Sequence, residues 1–355
     1  SGDYIYFNYD SNIYRADLAE DENEEKVPDF STKVKLVGVG SSVPKKTELY
    51  PQESEIPFVN DMREHILSSG ASRYSFSLAG CFAADVQQNI YYYIQANVGE
   101  SIVNELGITT MDMEPIGGML YRQTPDGQTA YSLFLPSVNG LAADGEGRLY
   151  VLTDEDIRIL DSSGSPLGTI NIDGYIQDDG MYSNGNLFAD PLGHVYYAPK
   201  NNLLSTIVLE LGTSTPTQMK EITKLNFASF ISASADGKLI FSDSKSGMVY
   251  EYDRKSSETK PILRWEDIDH YESSFRNVIR LSPDKLLAEY WDYNTQTLLL
   301  LSKTSVDQLP KKEIVVLASL LPSSELKESV IGFNRQSSQY HVIIETYGAK
   351  LYESE

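Results

Sequence analysis

Short runs of apolar residues alternate with polar ones along most of this chain, and Asp, Gly, Ser and Asn punctuate them. One pattern recurs. Leu141-Ala-Ala-Asp144-Gly-Glu-Gly-Arg-Leu-Tyr-Val-Leu places a small apolar strand, a turn, and then an aromatic and β-branched strand. The same shape returns from Phe82 around Asp85, from Leu187 around Asp190, from Ser234 around Asp236 and from Leu281 around Asp284. The turn aspartates at 85, 144, 190, 236 and 284 are separated by steps of 59, 46, 46 and 48 residues. A partial copy opens the chain over Asp3–Tyr9 and Asn12–Asp17.

Each unit has room for four short strands. Around Asp144 they are expected at Gly140–Ala143, Leu149–Thr153, Ile157–Asp161 and Leu167–Ile172, and around Asp236 at Ile231–Ala235, Leu239–Asp243, Met248–Asp253 and Pro261–Trp265. Strands that meet at Asp-Gly form hairpins, because Gly, Asn and Asp take positive φ cheaply. Repeated four-stranded antiparallel units of roughly 40–50 residues are the signature of a β-propeller. The expectation is therefore an all-β chain, a propeller of six or seven four-stranded blades over residues 1–310. In the stretch Lys33–Arg73, Val34–Val39 reads as the last strand of the first unit and Ile56–Leu67 as a short helix. The acidic run Asp17–Glu25 reads as a solvated loop.

From Lys312 the pattern changes. Glu313-Ile-Val-Val-Leu-Ala-Ser319 is a continuous apolar run, which suits a buried parallel strand. Ser324 is placed to cap a helix carrying Leu326, Val330, Ile331 and Phe333, and Tyr340–Tyr347 is a further strand. Residues 311–355 are thus expected to hold a strand–helix–strand segment. An alternative makes Val330–Asn334, Tyr340–Glu345 and Ala349–Tyr352 three strands of a closing blade.

Composition narrows the function classes. The chain has 355 residues, 24 of them Tyr, and a formal charge of −22. Tyrosine suits pleated, half-buried surfaces. The acidic balance excludes a nucleic-acid surface and anionic lipid, and no apolar run approaches the length of a membrane helix. The single Cys81 sits in an apolar stretch and reads as a small buried hydrophobe.

Catalytic chemistry finds no foothold. No two of His65, His194, His270 and His341 have metal-pair spacing on a helix, and His194 and His341 read as structural. Ser-x-x-Lys at Ser42, Ser257 and Ser324 reads as chance, and the turn aspartates as turn formers. Asp173-Gly174 and Asp178-Asp179-Gly180 lack the ligand alternation of a calcium loop. No catalytic residue, metal or cofactor is expected. Trp265, Tyr271, Arg276, Trp291 and Tyr293 lie in or beside loops of the last two units and form the candidate ligand-binding set, suited to carbohydrate or peptide.

Residues Glu313–Ser319, Leu326–Asn334 and Tyr340–Gly348 resemble the opening of an extracellular solute-binding protein of ABC transporters, some lipid-anchored members of which carry a propeller ahead of that module. The resemblance covers residues 313–348, and a chain stopping at Glu355 lacks nearly all of such a module. It implies a cell-surface, extracellular protein that assists carbohydrate or peptide uptake beside a transporter permease, without inserting in the membrane itself. A propeller enzyme of glycosidase, lyase or lactonase type is the second reading, and a scaffold without a small ligand the third.

Overall fold

The computed structural model describes residues 4–9, 12–17, 32–33, 47–48, 57–71, 73–103, 109–175, 185–199, 205–212, 218–226, 228–234, 236–243, 247–270, 275–292, 295–304, 311–320 and 322–346. The expected strand Val34–Val39, the remainder of the Asp17–Glu25 run, Asp178–Gly180 and the expected strand Ala349–Tyr352 lie outside them. The chain divides into two compact units, Ser1–Leu225 and Asn226–Glu355.

In the first unit, β1 (Tyr4–Tyr9), β2 (Asn12–Asp17) and β3 (Thr32–Lys33) form an antiparallel sheet. There follow β4 (Thr47–Glu48), α1 (Pro57–Ser68), β5 (Arg73–Ala84), β6 (Ile90–Val103), β7 (Thr109–Gln123) and β8 (Thr129–Leu135). Strands β5–β8 make the first blade, with β4 added at its edge. The second blade is β9 (Gly140–Ala143), β10 (Leu149–Leu152), β11 (Asp156–Leu160) and β12 (Pro166–Asn171). The third is β13 (Asn186–Ala189), β14 (Val195–Ala198), β15 (Ser205–Leu211) and β16 (Met219–Asn226), whose last residue passes the unit boundary.

Period-two alternation explains how these blades hold together. In β6, Tyr91 and Tyr93 face the second blade, whereas Tyr92 and Ile94 face α1. In β10, Leu149 and Val151 join the core shared with the first blade, and Tyr150 and Leu152 join the core shared with the third. Successive residues of these inner strands are therefore committed to alternate interfaces. Tyrosine dominates because each aromatic ring removes roughly 150–250 Å² from water. These three tyrosines of β6 are fully buried, as are Tyr121, Tyr150, Tyr196 and Tyr197.

The second unit holds two more blades: β17 (Ala228–Ala233), β18 (Leu239–Asp243), β19 (Met248–Asp253) and β20 (Glu258–Arg264), then β21 (Phe275–Ser282), β22 (Lys285–Asp292) and β23 (Thr295–Ser302). Buried Glu251 pairs with Lys238 at 2.8 Å and with Arg280, tying β19 to β21. The unit ends in β24 (Glu313–Ser319), α2 (Ser324–Gln336) and β25 (Tyr340–Thr346), with β24 and β25 parallel.

The fold class is all-β, a β-propeller. Among the described residues the expected six or seven four-stranded blades become five. Two physical reasons account for this. Phe58, Val59, Met62 and Ile66 of α1, together with Ile13, cover the face of the first blade that another sheet would have covered. The C-terminal strands pair in parallel instead of adding an antiparallel blade. Because Val330–Asn334 is helical, the closing-blade alternative fails there. The cap of α2 is Ser323, whose hydroxyl accepts from the Leu326 N–H, not Ser324. Strand β24 is parallel as expected but not buried: Ile314 is 58% exposed and Val316 52%. Helix α2 packs over β25, whereas the residues of β24 from Glu313 to Ala318 are exposed.

Cys81 is half-buried, its Sγ 3.9 Å from the Val138 carbonyl oxygen, and burial pushes its thiol up to about 12. Only the thiolate reacts. At pH 8 the folded protein should therefore leave a disulfide-exchange reagent almost unconsumed, while denaturant should release one thiol per chain. Prompt labelling of the native protein would contradict this placement.

Candidate binding cleft

The turns that join the first two strands of the first three blades share one chemistry. In the first blade, Asp85 is 2% exposed, and its Oδ1 accepts from the backbone N–H groups of Gln87 and Asn89. Its Oδ2 accepts from Asn89 Nδ2 at 2.7 Å and from Tyr91 Oη at 2.9 Å. Asp144 repeats this with the N–H groups of Glu146 and Arg148, Arg148 Nε and Tyr150. Asp190 repeats it with the His194 N–H, His194 Nδ1 at 2.8 Å and Tyr196 Oη at 2.8 Å. A buried carboxylate needs just such a full set of donors. In these three blades the lock combines Asp, a donor four residues on and Tyr six residues on.

The backbone of these turns corrects the sequence register. Each is closed by an N–H three residues past the Asp, from Gln88, Gly147 and Gly193, and that residue takes positive φ. The glycine the turn needs after Asp144 is therefore Gly147 (φ 78°), not Gly145. In the fourth blade the same bonds form around Ser234, closed by the Gly237 N–H. Ser234, not Asp236, occupies the lock position, so the step from 190 is 234 − 190 = 44 residues. Asp284 lies in the two-residue link between paired Ser282 and Lys285.

The second and third blades press their turns together. The Gly145 N–H donates to the Gly193 carbonyl oxygen at 3.2 Å. Beside this contact opens a cleft of about 460 Å³, to which Glu146, Arg148, His194, Glu210 and Lys220 contribute. Arg148 is held between Asp144 and Glu146, whose Oε2 lies 3.0 Å from Nη1. Burial works against its charge, but the bond and charge of Asp144 outweigh it and keep the guanidinium above its ordinary pKa. Burial, assisted by the Asp144 carboxylate, pushes Tyr150 up to about 12. A carboxylate only accepts, so the His194 nitrogen facing Asp190 carries the proton. The cleft thus holds two oriented charged or titratable groups, Arg148 and His194, each already matched to a carboxylate.

Of the five candidate residues from the sequence, Trp265 alone has a described side chain. Trp265 is a core residue: fully buried, stacked on Phe275 with ring centroids 3.6 Å apart, its Nε1 donating to Ser242 Oγ. That placement removes it from the ligand-binding set. Arg276 lies in β21 and Trp291 in β22, where it pairs with Gln296. Tyr271 and Tyr293 lie outside the described residues. Arg148 and His194 went unrecognised as a pair, although both stand four residues after a turn Asp and two before a Tyr. Asp173 belongs to a short 3-10 turn and accepts from Asn171 Nδ2. Among the described residues no three His, Cys, Asp or Glu side chains converge as metal ligands.

No family model and no curated protein matches the chain. Solved structures similar to it include a nidogen/laminin complex (14% identity, TM-score 0.46, covering 84% of this chain and 89% of that one). A PQQ-bound aldose sugar dehydrogenase from Streptomyces coelicolor has 13% identity and TM-score 0.39, covering 82% and 88% of the two chains. Virginiamycin B lyase from Staphylococcus aureus has 11% identity and TM-score 0.37, covering 66% and 76%. These propeller proteins include enzymes and a non-enzyme. Nothing among them points to a solute-binding protein of an ABC transporter, so the resemblance drawn over residues 313–348 is withdrawn. Those residues form a strand–helix–strand segment, a shape too common to identify a family.

Proposed function

We propose that the protein is a non-catalytic binding module whose ligand seat is the cleft between the turns of the second and third blades. The observation that carries this reading is the fit of a roughly 460 Å³ space to the size of small-molecule sites, lined by polar groups that neighbouring side chains already hold in place. Preorganised groups lose little freedom when a ligand arrives. The His194–Asp190 pair also has the form of a general base held by a carboxylate, which favours the enzyme reading. The sister turns argue otherwise. Asn89 and Arg148 stand where His194 stands and make the same bond to their turn Asp, so the pairing follows from the turn lock and not from a reaction.

A calorimetric screen of monosaccharides, disaccharides, amino acids, dipeptides and nucleosides tests the reading. The decisive variant is His194→Asn, which copies the lock of the first blade and keeps a donor for Asp190. It should fold with unchanged cooperativity, shift stability by less than about 1 kcal/mol and weaken the bound solute about tenfold or more. A screen without a binder, or a binder indifferent to His194→Asn and Arg148→Asn, would refute the cleft as ligand seat. Turnover of any bound solute would refute the non-catalytic reading.

A further inference from the structure

We infer that the cleft is built for an uncharged, hydroxyl-rich ligand, a neutral saccharide. This rests on the proposed reading of the cleft as a ligand seat. Its two central donors already have carboxylate partners. Arg148 is spanned by Asp144 and Glu146, and the His194 Nδ1–H donates a hydrogen bond to Asp190 Oδ2. What remains toward the cleft is directional hydrogen-bonding capacity. Among the residues lining it, Arg148 and Lys220 bring donors, Glu146 brings acceptors, and His194 brings a second ring nitrogen not used by Asp190. Fixed donors interleaved with fixed acceptors suit groups that both give and take a hydrogen bond, which is what a sugar hydroxyl does.

Charge excludes the alternatives. An anionic ligand would meet Asp144, Glu146 and Glu210 against Arg148 and Lys220, in a chain of net charge −22. A cationic ligand would compete with Arg148, which already holds both neighbouring carboxylates. An apolar ligand would leave these groups desolvated and unmatched, which costs more than its burial gains. Neutral recognition also predicts an affinity nearly independent of salt, because no counterion is exchanged.

The test uses matched ligands on the full chain. Methyl glucoside, methyl galactoside and methyl mannoside are titrated beside glucuronate, galacturonate and glucosamine, at low and at high salt. At least one neutral glycoside should bind. Its charged counterpart should bind about tenfold more weakly or worse, salt should leave the neutral affinity unchanged, and His194→Asn should abolish the preference. Tighter binding of a uronate or of glucosamine, or affinity that falls with salt, overturns the inference. If His194→Asn still weakens that binding, the cleft reading survives. Failure of the whole sugar panel also overturns the inference, and the broader solute screen then decides the cleft reading by itself.

Discussion

Trp265→Ala should lower the free energy of unfolding by about 3–5 kcal/mol, the range for emptying a large aromatic site in a core. The side chain is fully buried and forms one cluster with Ile240, Val249, Phe275, Val278 and Ala288. It stacks on Phe275 at 3.6 Å and donates to Ser242 Oγ. Its removal loses the ring contacts and leaves Ser242 without that donor. Urea denaturation reads the loss directly as a lower midpoint. A ligand-contacting Trp on a loop would behave in the opposite way, with binding lost and the midpoint unmoved. Retention of wild-type stability would therefore reinstate Trp265 as a surface residue and contradict the core described for the last two blades.

Gly193→Ala should be the most damaging of the small substitutions in the cleft. Gly193 has φ 86°, a region where a Cβ costs roughly 1–2 kcal/mol. Its Cβ would also lie 2.2 Å from the Gly145 nitrogen and 2.4 Å from the Gly145 Cα, both backbone atoms without a flexible escape. The two turns must then separate, breaking the Gly145–Gly193 bond and the side of the cleft it forms. The expected result is a stability loss of about 2–4 kcal/mol, the sum of strain and displaced packing, with loss of solute binding. Gly145→Ala is the control. Gly145 does not adopt positive φ, and its Cβ would meet its nearest neighbours at 3.5 Å, an ordinary contact. Equal damage from both variants would show that the turns do not meet as described.

These glycines also show what the sequence could reveal. Strand positions were legible because period-two burial is written in residue type: Gly140–Ala143 matches β9, and the other strands of that blade shift by one residue or so. The helix expected at Ile56–Leu67 is α1. Turn register was less legible. Asp-Gly marks a hairpin, but which Gly carries the positive φ depends on the backbone bond three residues after the first turn residue. At 236 the familiar dipeptide hid the substitution of Ser234 for the locking Asp. Strand β24 misled for another reason. An apolar run signals burial only if another element covers it, and periodicity along one strand carries no information about the neighbour. The cleft was illegible because Arg148 and His194 are 46 residues apart (194 − 148) and meet only when adjacent blades stack. The shared Asp-x-x-x-donor-x-Tyr pattern was the available signal. It identifies equivalent positions, and two such positions on neighbouring blades must lie side by side.

Four histidines report from four different environments: His65 stacked on Phe134, His194 in the cleft, His270 against Phe275 and Tyr290, and His341 beside Asp269. Their ring ¹⁵N resonances, followed while the tightest neutral glycoside is titrated into the full chain, locate the ligand without a substitution. Movement of the His194 signals alone, Nε2 above all, is the predicted outcome. A saturating glycoside that shifts His270 or His341 and leaves His194 in place would contradict the assignment of the ligand to this cleft.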